Sequence, residues 1–469
     1  MYMFSLSEMI EITGASLIGT HTRTGIDRIT GAAVDSRKVK KGSLFVALKG
    51  DRTDGHLYLP DALSKGAAAV MISEDFQKAD QFQTVRKELD IPVLVHENPL
   101  DGLQKLAAAW VRKFPDLIRI GITGSNGKTT TKEILAAILS EIAPTVKNRG
   151  NLNSEIGLPL AVLEIREEHR FGVFEMGVNH PGEMEQMVRV FDPQYGLITN
   201  VGTAHIGLLG SREGIAREKG TLFASLPANG IAFCPENFEW LDLYREMCRA
   251  SFVSFGPEST LGMERIENRG LKGWELSYRG AEFHLPLPGS HNLQNALAAI
   301  QAARSLGART QHIRAGIEKM ELLDGRSQII DGPVTILHDG YNANAESVLA
   351  IFSTLKECVS SEQLVLVLGS MKELGDAAEV SHRMVGRGIA GLSPRLALLF
   401  GEEMNYAGRE AKLNGYRGDI RHTDDFQQLR DMLCGSIHPG DVVLLKGSRS
   451  MELERLIPVL QHDCSEKAV

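Results

Sequence analysis

A three-domain α/β architecture is what the sequence predicts, and two observations predict it. The 469-residue chain is too long for one hydrophobic core. Short β-branched or aromatic segments alternate with helical stretches almost throughout, and the pattern restarts after Pro- or Gly-marked breaks near residues 99 and 323. The expected divisions are therefore residues 1–99, 100–323 and 324–469.

In the first division, Ser43 to Leu48 reads as a strand, Pro60 to Lys65 as a helix, and Ala68 to Ile72 and Pro92 to Val95 as two further strands. Two polar clusters interrupt them, Asp35-Ser36-Arg37 and Asp54-Gly55-His56. Turn-forming side chains explain either cluster, and an Arg beside a Ser hydroxyl is equally a fitting phosphate contact. Asn98-Pro-Leu-Asp-Gly102 marks the first break, ahead of a helix expected from Leu103 to Phe114.

The central division is organised around Ile118 to Thr131, where an alternating apolar segment runs into a glycine-punctuated turn and then a helix. Ile134, Leu135, Ile138, Leu139 and Ile142 fall on one face of that helix at a 3.6-residue period. Such a strand, loop and helix is a phosphate cradle. Gly124 and Gly127 allow a tight turn that aims backbone N–H groups at an anion, with Ser125, Asn126 and Thr130 beside them. Lys128 adds a point charge, and Thr129 offers a hydroxyl to Mg²⁺. The spacing differs from the common phosphate loop, which has glycine where this chain has Ile122; Gly121, Gly124 and Gly127 stand three apart instead.

A loop from Asn148 to Gly157 follows, carrying Asn151 and Asn153, and its composition fits either a connector or a binding surface. The next strand delivers Glu175 at its C-terminal end, on the side of the sheet where Lys128 opens. A carboxylate there can hold Mg²⁺ on a nucleotide. A second strand, Tyr195 to Asn200, leads to His205, which reads equally as a capped surface residue or a ligand. Ser211 begins a helix containing Lys219, by default a solvated lysine. Ser290 is expected to cap a helix on which Asn292 and Asn295 share a face; two amides there could read a base or a ribose, or serve only as caps.

In the last division, strands are expected at Val334 to Leu337, Leu364 to Leu368, Leu396 to Phe400 and Val442 to Leu445. Arg326 and the cluster His338 to Asn344, with Asp339, stand at its front. Gly369 to Gly375 and Lys446 to Met451 each follow a strand directly. Loops that all open at strand C-terminal ends argue for one lined crevice.

Composition excludes several classes of function. With 51 basic against 59 acidic residues and a net charge of −8, no basic stripe favours nucleic acid. No apolar run approaches the ~18 residues of a membrane span, and no signal peptide is legible, so a cytoplasmic location is expected. Five scattered cysteines without C-x-x-C spacing read as reduced thiols.

Taken together these motifs resemble the Mur ligase family from end to end. The resemblance rests on Asp35-Ser-Arg37, Asp54-Gly-His56, Gly121 to Thr130 with its Ile122, Gly150-Asn-Leu-Asn153, Glu175-Met-Gly177, Asn200 to His205, His291 to Asn295, Arg326, Asp339 and Lys446-Gly-Ser-Arg449. Asp339-Gly-Tyr-Asn-Ala-Asn344 and Lys446 to Met451 are similar to the branch that adds a D-alanyl-D-alanine dipeptide. Ala345, usually Pro, and Ser370, usually acidic, depart from that branch and leave room for a relative with another amine substrate, as does the neighbouring branch that adds the third peptide residue.

The resemblance implies a UDP-sugar domain, a central ATP-binding domain and a Rossmann-like C-terminal domain. It implies an ATP-dependent peptide ligase using UDP-MurNAc-tripeptide and D-Ala-D-Ala, with two Mg²⁺ ions and no nucleic-acid partner, acting as a monomer. On that reading Lys128 contacts the β and γ phosphates. Thr129, Glu175, His205 and a carbamylated Lys219 hold metal. Asn292, Asn295, Arg326 and Asp339 contact the nucleotide, while Ser36, Arg37, Asn151 and Asn153 hold the UDP substrate. A folate-type ligase would generally lack the front domain, and a catalytically silent nucleotide-binding protein has no need of Lys128, Glu175, His205, Lys219 and Arg326 together.

Overall fold

The computed structural model describes residues 2–18, 28–50, 53–87, 89–203 and 206–463. Three α/β sheets carry the architecture. The first has five strands in the order Ser16–Ile18, Val93–His96, Ala69–Ser73, Ser43–Val46 and Gly31–Ala33, parallel except for its first member. Its strands are nearly continuous apolar runs because both faces are covered. Phe45, Val70, Ile72 and Val95 pack under Leu59, Phe76 and Phe82 on one face. Leu44, Val46, Met71 and Leu94 pack against Met9, Leu103, Leu106 and Trp110 on the other.

The helix Pro99–Arg112 begins earlier than expected. Asn98 caps it through a hydrogen bond from the Leu100 N–H, and Pro99 occupies its first position, where a missing N–H costs nothing. Gly102 lies inside this helix, where a Cβ would press on the Met71 sulfur. The Pro and Gly that marked a break are thus a helix start and a close-packing site. The helix is shared: Leu106, Ala107 and Trp110 also join the core formed by Leu158, Ala161, Met187 and Phe191 of the central domain.

The central sheet has six strands, all parallel, in the order Ser251–Phe255, Ile231–Pro235, Tyr195–Ile198, Ile118–Thr123, Phe171–Glu175 and Thr145–Lys147. The phosphate-loop strand therefore sits between the strands that end at Ile198 and Glu175. Its helix, Lys128–Ser140, buries Ile134, Leu135, Ile138 and Leu139 completely against the helix Ser290–Ser305, while Ile142 lies past the helix end. An antiparallel sheet of three strands, Met263–Asn268, Trp274–Tyr278 and Ala281–Leu285, precedes that second helix and lies beyond the elements expected from the sequence.

The third sheet runs Gln328–Ile330, Thr335–His338, Val442–Lys446, Leu364–Gly369, Leu396–Phe400 and Asp419–Thr423, parallel except at its first strand. Cys234, Cys248 and Cys358 are free thiols. Cys434 is disulfide-bonded, against the expectation of reduced thiols throughout, and Cys464 lies outside the described residues. No helix among the described residues is long and apolar enough to cross a membrane.

Candidate functional site

The strand Ile118–Thr123 ends in a loop that only glycine could build at two positions. Gly124 and Gly127 have φ of 148° and 80°. A Cβ on Gly124 would collide with the Thr199 hydroxyl, and one on Gly127 with the Asn295 side chain. The loop is held from the neighbouring strand end. Asn200 accepts from the Asn126 N–H at 3.0 Å and donates to the Asn126 carbonyl at 3.0 Å, Thr199 donates to that carbonyl at 2.5 Å, and the Gly202 N–H donates to Ser125 at 2.8 Å. Thr199 is a scaffold residue that a single sequence does not announce, and Asn200, the first residue of the Asn200 to His205 motif, serves as scaffold as well.

Lys128 opens the helix and turns its Nζ back over the loop, donating to the Gly124 carbonyl at 2.8 Å. Burial lowers its pKa, the Arg326 charge lowers it further, and Glu175 opposes both. Lys128 and Arg326, from two different domains, therefore share one electrostatic field. Thr129 donates to Glu175 Oε2 at 2.7 Å, and Asn153 donates to Oε1 at 2.6 Å. Asn148 clamps the Glu175 backbone from both sides, accepting from its N–H and donating to its carbonyl, each at 2.9 Å. The buried carboxylate thus accepts one hydrogen bond on each oxygen and is fixed in direction. A threonine hydroxyl and a carboxylate side by side are hard oxygen donors of the kind Mg²⁺ takes. No group of three His, Cys, Asp or Glu side chains able to hold a metal by itself occurs among the described residues. Asn151, by contrast, is exposed.

Lys219 stands on the helix Arg212–Ala224, capped by Ser211 as expected. It is not solvated: its side chain is 1% exposed, and among the described residues no hydrogen bond or ion pair reaches its amine. Burial, then the nearby Lys128 charge, push its pKa well down, with Glu218 opposing. His205 lies outside the described residues.

Asn292 and Asn295 are both buried near the start of Ser290–Ser305. Asn292 donates to the Pro288 carbonyl at 2.8 Å and accepts from Asn295 at 3.4 Å, while Asn295 borders Gly127. Ser290 is the first helical residue, and the capping position belongs to Gly289, which supplies no side-chain cap.

The cluster around Asp339 is divided among several tasks. Asp339 accepts from Lys446 Nζ at 2.5 Å and from the Ser327 N–H at 2.8 Å. Burial alone would raise its pKa, but Lys446 holds it below the usual carboxylate value. Arg326 stacks over the Tyr341 ring at 4.0 Å. Asn344 caps the helix Ala345–Cys358 and reaches the phosphate loop, donating to Asn126 Oδ1 at 2.7 Å. Ala345 occupies the first position of that helix, where Pro and Ala are interchangeable to the backbone, so its departure costs no contact.

The first domain stands apart from these groups. Asp35 caps a short turn and holds the exposed Arg37 bidentately at 2.9 Å, and Ser36 is buried beneath. His56 is buried, stacked on Phe76, and receives the Ser73 N–H on Nε2, so its Nδ1 proton faces Asp54. That histidine ties the loop to the sheet.

Comparison with known proteins agrees with this arrangement. Residues 28–111 match the Mur ligase family catalytic domain, 122–303 the Mur ligase middle domain, and 325–449 the Mur ligase glutamate ligase domain. A UDP-N-acetylmuramoyl-tripeptide--D-alanyl-D-alanine ligase of Treponema pallidum is 36% identical over 458 residues, covering 96% of this chain and 97% of the relative. The crystal structure of MurF from Acinetobacter baumannii superimposes with a TM-score of 0.85 at 30% identity, covering 98% of each chain. MurF from Thermotoga maritima, solved in complex with ADP, gives 0.76 at 27% identity over 93% of this chain and 98% of that one. The order of matched domains, the end-to-end likeness and the two-domain convergence on the phosphate loop lead to one conclusion: this chain belongs to the Mur ligase family, as a ligase of the MurF type.

Proposed function

We propose that the protein joins D-alanyl-D-alanine to UDP-N-acetylmuramoyl-tripeptide at the expense of ATP. A carboxylate is a poor electrophile. The γ-phosphoryl group of ATP first passes to the terminal carboxylate of the tripeptide, giving an acyl phosphate and ADP. The dipeptide amine then attacks that carbonyl, a C–N bond forms as the C–O bond to phosphate breaks, and the amine proton is lost to solvent. The protein's task is to align anions and an amine and to neutralise the transferring charge. The observation that carries this reading is the convergence of Lys128, Glu175 and Arg326 at one loop from two domains.

In this reading Gly124, Ser125, Asn126, Gly127 and Thr130 cradle the phosphates. Lys128 meets the β and γ groups, and Arg326 meets the transferring phosphoryl. Thr129 and Glu175 hold Mg²⁺, which supplies charge neutralisation when bound, and His205 serves a second ion. Burial and the Lys128 charge push the Lys219 amine toward its neutral form, the form that takes up CO₂, so Lys219 fits a carbamate that would add oxygen donors for a metal ion. Asn292 and Asn295 serve the adenine and Asp339 the ribose. Ser36, Arg37, Asn151 and Asn153 serve the UDP-peptide. Residues 1–99, 100–323 and 324–469 form the sugar, ATP and ligase domains of a cytoplasmic monomer.

Phosphate release measured with UDP-MurNAc-tripeptide, with and without D-Ala-D-Ala, tests the proposal. Release is expected only with both substrates present; silence with every amine offered would end it. Lys219→Ala is expected to lose activity that short carboxylates partly restore, and full activity in that variant would rule out the carbamate.

A further inference from the structure

We infer that Glu346 is a positioning residue that fixes the phosphate loop from the third domain, acting through Asn126 and Thr203. The inference rests on the ligase reading for its functional consequence and on geometry alone for the contact. Glu346 lies in the first turn of the helix Ala345–Cys358. One carboxylate oxygen accepts the Thr203 N–H at 2.7 Å, and the other accepts Asn126 Nδ2 at 3.4 Å. A Cβ on Gly202 would overlap the second oxygen, so the carboxylate is seated against bare backbone.

The hydrogen bonds form a chain whose polarity is set at one end. The Ser347 N–H donates to Asn344 Oδ1 at 2.8 Å, which leaves the Asn344 amine to donate to Asn126 Oδ1 at 2.7 Å. The Asn126 amine is thereby turned toward Glu346. Both ends of the Asn126 side chain are read by the third domain, while its backbone is held by Thr199 and Asn200 of the central one. The loop that cradles phosphate and the turn after Ile198 are consequently pinned by one carboxylate only when the third domain lies against them.

A carboxylate is required because both of its partners are donors. In Glu346→Gln, the new amide can accept from Thr203 only by pressing its NH₂ on that of Asn126. Rotating Asn126 would set its NH₂ against that of Asn344. In the pair Asn126→Asp with Glu346→Gln the acceptors and donors match again at unchanged total charge. The carboxylate introduced at position 126 accepts from Asn344 and from the amide introduced at position 346, whose oxygen keeps the Thr203 N–H.

The test measures kcat and the ATP KM of phosphate release for wild type, both single variants and the double variant, with thermal melting as a check on folding. Wild-type turnover tests the ligase reading, and the ratios to wild type test this inference. Glu346→Gln is expected to lose roughly tenfold or more in kcat with ATP KM changed by less than about threefold, and the double variant to turn over roughly tenfold faster than Asn126→Asp alone. A Glu346→Gln enzyme within about twofold of wild type, or a double variant no better than the poorer single, would overturn it. Should Glu346→Gln melt early or turnover be absent, hydrogen exchange at the wild-type Thr203 amide decides: protection supports the contact, and exchange at the rate of an open loop overturns it.

Discussion

Lys219 shows how far a residue's chemistry can lie from its sequence appearance. In a helix of ordinary composition it reads as a solvated cation, yet the fold buries it near Lys128 with no ion pair among the described residues. Between its depressed folded pKa and the unfolded value of about 10.4, the folded chain binds fewer protons than the unfolded one. Stability therefore rises with pH across that window, and the full cost is present below it. Lys219→Met keeps the stem and removes the charge. In bicarbonate-free buffer at pH 7 we predict that this variant melts above wild type, by roughly 2–4 °C for each kcal/mol relieved, with the gap closing toward pH 10. Added bicarbonate is predicted to raise the wild-type transition and leave the variant unmoved. A variant that melts below wild type at pH 7 would show that the amine is charged and paired.

At the scale of the element, the phosphate-loop strand and helix were legible because apolar periodicity and glycine spacing report local backbone needs. Glu175 was legible for the same reason, being the last residue of an apolar strand. The struts were not. Thr199, Asn148 and Glu346 act through contacts made across long sequence separations, and nothing local distinguishes them from turn or cap residues; Asn200 stands out only through the motif that carries the family resemblance. Glu346 in particular looks like an ordinary acidic residue at a helix N-terminus. The helix Pro99–Arg112 starts ahead of the expected Leu103 because Pro and Gly, which more often punctuate loops, here begin and pack a helix. The loop itself is rigid by exclusion. Gly127→Ala would strain a φ of 80° and drive a methyl into Asn295. Displacing the cradle by about 1 Å should cost roughly 100-fold in kcat/KM for ATP. Steady-state kinetics at varied ATP checks this, and a loss below about tenfold would mean the loop yields more readily than its packing suggests.

Across the whole molecule, the proposed tasks are divided among domains. Lys128→Ala should abolish phosphate release while binding of the UDP substrate, followed by calorimetric titration, stays within about threefold, because Ser36 and Arg37, assigned to its UDP end, lie in another domain. The three sheets and their order were legible in the sequence, since strands alternating with helices specify parallel sheets. The docking of one sheet on the next was not, because it depends on which faces meet. Trp110 carries one such junction. Its indole donates to the Ile165 carbonyl at 3.1 Å, and its ring meets Phe4 edge-on. Trp110→Ala should cost about 3–5 kcal/mol and lower the melting of the first and central sheets together. Separate shifts in two resolved transitions would show that the junction is weak.

The shared helix has a consequence for how the chain comes into being. During synthesis the strands around Leu44, Met71 and Leu94 leave the ribosome before the helix that covers them, and that helix waits in turn for Leu158, Met187 and Phe191. The nascent first sheet, once that helix covers it, must therefore carry the helix's outward apolar face bare for the time taken to add roughly 80 residues, about 4–16 s at ordinary elongation rates. That interval, rather than any step at the completed site, is where this enzyme is most exposed to aggregation and to chaperone capture.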